Sequence, residues 1–75
     1  MEILFLYYSD FNSQEDKIKI LREKANRKSL ECVNKEANDK LISIGFEFPV
    51  IKYQGQLYGY KEATDWLDKY WYNIM

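Results

Sequence analysis
After Glu2 the chain runs Ile3-Leu4-Phe5-Leu6-Tyr7-Tyr8 without a charge, then turns polar at Ser9-Asp10 and opens an amphipathic stretch. An apolar run of that length fits a strand covered on both faces, as in a mixed α/β sheet. Asp10, Asn12 and Ser13 offer side-chain oxygens for a helix N-cap, and Asn12 with Glu15, or Ser13 with Asp16, has capping-box spacing. Ile18, Leu21 and Ala25 follow at helical spacing, with Lys17, Arg22, Glu23 and Lys24 elsewhere on the wheel. The pattern predicts a helix of about three and a half turns ending near Asn26.

The remaining elements follow from shorter signals. Ser29-Leu30-Glu31-Cys32-Val33 alternates roughly with period two and reads as a second strand, parallel to the first because a helix lies between them. A short helix is expected over Glu36 to Ile44, with Ala37, Leu41 and Ile44 on one face and Gly45 closing it. Pro49 is tolerated at the start of the strand Val50-Ile51-Lys52-Tyr53, because its missing N–H falls outside the ladder. Gln54-Gly55 supplies a tight turn that pairs Gln56-Leu57-Tyr58 back antiparallel, and Gly59 ends that strand. Ala63, Trp66, Leu67 and Tyr70 mark a final amphipathic helix. The order β-α-β-α-β-β-α implies an α/β domain with a four-stranded mixed sheet and helices on both faces.

Size and composition set the outer limits. With 75 residues the chain is one domain that buries only about 60% of its unfolded surface, so its core must be efficient. A 47% hydrophobic and 17% aromatic composition meets that need. The net charge is −1 and no Lys/Arg stripe forms, which argues against a nucleic-acid partner. Arg22, Lys24, Arg27 and Lys28 read as a helix's last turn, where cations complement the dipole. One cysteine, Cys32, leaves no internal disulfide, and the absence of histidine removes the usual general base and the commonest metal ligand. No apolar run has the roughly 20 residues of a membrane span, and Glu2 directly after Met1 gives no basic n-region. A cytoplasmic setting is expected, with no cofactor, no metal and no membrane contact. The Lys, Ile, Asn and Tyr usage suits an AT-rich genome, such as that of a phage or low-GC bacterium.

Gly45-Phe46-Glu47-Phe48-Pro49-Val50-Ile51, then Gly55 and Gly59-Tyr60, in this element order, resemble the glutaredoxins, the shortest thioredoxin-like proteins, including the redoxins that serve ribonucleotide reductase. The resemblance covers nearly the whole chain. It implies a thioredoxin-like, glutaredoxin-type fold and a cis Phe48–Pro49 peptide. It also implies that Phe48 presents backbone to a bound peptide segment, and that Gly59 lets a ligand or partner backbone approach. The departure is the turn between the first strand and helix. The family's two cysteines fall near Phe11 and Gln14, and neither residue can form the thiolate that exchange needs. Dithiol oxidoreductase chemistry is therefore excluded there. The expected groove comprises Tyr8, Asp10, Phe11, Asn12, Ser13, Gln14, Phe48, Pro49, Val50, Gly59 and Tyr60. No catalytic residue is expected.

Each remaining candidate has two readings. Cys32 is either a small buried hydrophobe or a reactive thiol, and Glu31-Cys32-Val33 supplies no activating cation. Ser9 and Ser13 either cap the helix or, as hydroxyls do in some glutathione transferases of the same fold, stabilise a thiolate. Tyr7 and Tyr8 either pack in the core or line the groove, where Tyr8 stands in place of the family's glutathione-contacting cation. Asp10, Glu15 and Asp16 form an acidic collar that suits a helix start and disfavours an anionic ligand such as glutathione. Trp71, Tyr72, Ile74 and Met75 either cover the base of the sheet or form an interface, leaving a monomer or a weak dimer. Three functions remain open: a non-catalytic, protein-binding or regulatory module; a thiol-ligand-binding or transferase-like enzyme without CxxC; and a small protein that associates through its aromatic end.

Overall fold
The computed structural model describes residues 2–70. Its elements are β1 (Glu2–Tyr8), α1 (Phe11–Arg27), β2 (Leu30–Glu36), α2 (Asp39–Ile44), β3 (Val50–Tyr53), β4 (Gln56–Tyr58) and α3 (Tyr60–Lys69). The four strands form one mixed sheet in the order β2-β1-β3-β4. β2 runs parallel to β1, whereas the pairs β1–β3 and β3–β4 are antiparallel. The expectations placed on Trp71, Tyr72, Ile74 and Met75 fall outside the described residues.

Strand alternation sorts β1 into two unequal faces. Leu4 and Leu6 are fully buried and meet Ile18, Leu21 and Ala25 of α1 and Ala63 and Leu67 of α3 in one core with Ile51. Tyr53, Tyr58, Trp66 and Tyr70 continue that core toward the start of β1, with Trp66 stacked on Tyr58 at 5.0 Å. The other face carries Ile3, 50% exposed, and the half-buried Phe5 and Tyr7. β1 is thus covered fully on one face only, contrary to the reading of its apolar run. α2 flanks the second face, but none of its residues is buried.

Three boundaries differ from expectation. β2 extends to Glu36, because its parallel partner β1 continues to Tyr8 and supplies hydrogen bonds along the polar stretch Asn34-Lys35-Glu36. Ala37 N–H then donates to the Tyr8 carbonyl at 2.8 Å, which holds residue 37 in the sheet's continuation and delays α2 until Asp39. Asn38 caps that helix by accepting from Leu41 N–H at 2.8 Å. α1 begins at Phe11, earlier than the capping-box spacing implies, and runs 17 residues.

The end of α2 and the β3–β4 turn both use backbone that L side chains rarely adopt. Gly45 closes α2 at φ +98, in the left-handed region that a missing Cβ makes accessible. Gln54 and Gly55 follow at φ +49 and +82, the pair of positive values of a type I′ hairpin turn. That turn returns β4 onto β3 and places Gly59 and α3 beside the segment preceding β3.

Candidate functional site
The turn between β1 and α1 is built from Gln14 backward. Gln14 Oε1 accepts from the backbone N–H groups of Ser9 at 3.1 Å and Asp10 at 3.3 Å, and Gln14 Nε2 donates to Ser9 Oγ at 2.8 Å. A side chain one turn inside the helix thus satisfies amides just before it, as the N3 residue of a capping box does. Asp10 sits at the N-cap with no side-chain cap bond, and Ser13 Oγ donates to the Asp10 carbonyl at 3.3 Å. The capping boxes expected of Asn12–Glu15 and Ser13–Asp16 do not form. The acidic collar is looser than expected, because α1 has no acidic residue in its first turn and Asp10 alone stands at its mouth.

Phe11 occupies the first helical position. Its ring meets Tyr8 edge-on at 5.4 Å and remains 44% exposed. Asn12 and Ser13 are exposed beside it. The turn therefore presents an aromatic side chain at the first position of the helix.

The second part of the expected groove lies on the segment before β3 and the start of α3. The Phe48–Pro49 peptide is cis. Pro49 and Val50 are buried, so of this pair of strand-start residues neither offers a surface, whereas Phe48 stays half-buried. Glu47 carbonyl accepts from Tyr60 N–H at 2.8 Å. A Cβ on Gly59 would lie 3.4 Å from Phe46 Cδ1 and 3.6 Å from the Glu47 nitrogen. The backbone that approaches Gly59 on its Cβ side is the chain's own, and Gly59 lines a pocket together with Phe46, Glu47 and Tyr60. Lys17 ties the two parts together, its Nζ lying 3.5 Å from Glu47 Oε2 and 5.0 Å from the centre of the Tyr60 ring. Sequence reasoning passed over Lys17 as an ordinary polar position on the helical wheel; its pairing with residue 47 is set by the fold.

Cys32 lies in β2, half-buried, away from the helix start. Burial pushes its thiol up to about 11, and Arg22 offsets this only in part. It is a poor nucleophile near neutral pH. Among the described residues no group of His, Cys, Asp and Glu could hold a metal, and no helix is long and apolar enough to cross a membrane.

A feature that sequence reasoning missed is a groove of about 280 Å³ between α2 and the less covered sheet face, lined by Tyr7, Lys52, Leu57, Leu41 and Ile44 among others. Its walls come from five separate elements, so no local pattern announces it. Compared with known proteins, the chain matches no family model, no curated protein and no solved structure.

Proposed function
We propose that this is a thioredoxin-like, glutaredoxin-type domain that has exchanged thiol chemistry for recognition, binding a protein partner through the turn between β1 and α1. The observation that carries the reading is Phe11, held edge-on by Tyr8 and still 44% exposed at the first position of the helix. Exposed aromatic side chains that are fixed in place contribute much of the energy at protein interfaces. Phe48 and Tyr60 supply further half-buried aromatic surface, with Lys17 and Glu47 paired between the helix and the segment before β3. A cytoplasmic setting suits the single unpaired thiol.

The alternative, a thiol-ligand-binding or transferase-like enzyme, has less to support it. The Ser13 hydroxyl donates to the Asp10 carbonyl, Ser9 Oγ accepts from Gln14, and Lys17 is engaged by Glu47 and Tyr60. Asp10 at the helix mouth opposes an anion.

Disulfide-reduction and glutathione-conjugation assays separate the two readings. The protein is expected to give no turnover above the uncatalysed rate. Turnover that disappears in Cys32→Ser, or that survives that change and disappears in Ser13→Ala, overturns the recognition reading.

A further inference from the structure
We propose that β2 is a self-association edge, and that its partner is a second copy of this chain, paired antiparallel with Val33 opposite Val33. β2 stands at the end of the sheet order, seven residues long, and on its outer side no element pairs with it among the described residues. It contains no proline, and nothing interrupts its continuous pairing with β1 from Leu30 to Glu36. Such an edge is a template for another strand unless charge, a bulge or a covering element blocks it.

The charges on this edge select a partner rather than block one. Glu31 and Lys35 lie two residues to either side of Val33, on the same face of the strand. An antiparallel pairing centred on Val33 therefore sets Glu31 of each copy opposite Lys35 of the other, twice, around a Val33–Val33 contact. Other registers lose this match. Centring on Cys32 or Asn34 sets one of the two charges opposite Val33, and Glu36 lies on the other face of the strand from Glu31. Opposite charges directly across a ladder stabilise it, and like charges destabilise it.

Both side chains are available. Glu31 and Lys35 are exposed, and among the described residues neither has an ion-pair partner. Lys35 Nζ rests 5.0 Å over the Phe5 ring, which holds the ammonium on the face that Glu31 and Val33 share. With a net charge of −1 per copy, long-range repulsion is small. Cys32 faces Asn34 of the other copy in this register. The two Cys32 Cα atoms then stand roughly 8 Å apart, beyond the roughly 7 Å limit for a disulfide, so oxidation is not needed. The inference does not depend on the reading of the Phe11 turn.

Sedimentation velocity from micromolar to millimolar protein, in reducing buffer, tests it. The expected result is a monomer–dimer equilibrium weakened by salt. Glu31→Lys alone and Lys35→Glu alone are each expected to weaken dimerisation at least tenfold. The equimolar mixture of those two variants restores association, because one copy then carries only positive and the other only negative groups at these positions; the double variant E31K/K35E restores it as well. Both positions are exposed, and circular dichroism establishes that each variant is folded. The proposal is overturned by a protein that stays monomeric at every concentration. Association indifferent to both single reversals, or lost in both and rescued by neither the mixture nor the double variant, overturns it equally.

Discussion
Leu67→Ala and Ile44→Ala remove similar apolar side chains from two helices, yet the structure assigns them very different costs. Leu67 is fully buried between α3, α1 and the sheet, with Leu4, Leu6 and Leu21 in the same core. Truncating a fully buried leucine costs about 2–5 kcal/mol, from lost transfer energy and the cavity left behind. A chain of 75 residues has a total stability of about 4–11 kcal/mol, so the change removes a large fraction of it. A loss of about 3 kcal/mol lowers Tm by roughly 12–24 °C in a domain of this size. Ile44 is 58% exposed and α2 buries no residue. Its truncation is expected to cost less than about 0.5 kcal/mol, partly offset by alanine's higher helix propensity. Thermal melts and urea titrations of both variants measure the contrast. A loss for Ile44→Ala equal to that for Leu67→Ala would refute the reasoning, because α2 would then be packed against the sheet rather than loosely flanking it.

Three further outcomes follow from local geometry. Alkylation of Cys32 near pH 8 is expected to run about a hundredfold slower than for a free thiol, since its value lies near 11 rather than 9.0; the neutral thiol also contributes stability that is complete below about pH 9 and is lost as pH rises toward 11. Gln14→Ala removes three side-chain hydrogen bonds at the start of α1 and is expected to cost about 1 kcal/mol, with faster amide hydrogen exchange at Ser9 and Asp10 than in Gln14→Glu, which keeps the acceptor. Asp68→Asn breaks the 2.6 Å ion pair with Lys24 that joins α3 to α1, and the expected loss of less than about 1 kcal/mol disappears in 1 M salt.

The element order and the main core were legible because they rest on local periodicity. Ile18, Leu21 and Ala25 share one helical face, and Ala63 and Leu67 another, whatever surrounds them. What the sequence concealed depends on partners distant in the chain. The apolar run of β1 does not reveal that only Leu4 and Leu6 are fully covered, because its coverage depends on where α2 lies. The end of β2 is polar, so alternation of apolar residues stops at Val33, while pairing with β1 continues through Glu36. At the start of α1 the N-cap falls on Asp10, one of the three candidate residues, but the amides before the helix are satisfied by a glutamine that reaches back rather than by either capping-box pair. At the candidate site, Tyr8, Phe11 and Gln14 do meet in one turn, but Val50 and Pro49 are buried and Gly59 is covered by the segment at Glu47. Lys17, which links the two halves, carried no local signal at all.

Recognition without exchange at the turn is tested most directly by site-specific photo-crosslinking from position 11, in the host that expresses the protein. Position 20 serves as the control, because Ile20 lies on the same helix and is 40% exposed. A protein adduct is expected from position 11 and none from position 20, formed equally when Cys32 is replaced by serine. An adduct of the same yield from both positions, none from position 11, or one held only by a disulfide through Cys32 would contradict it.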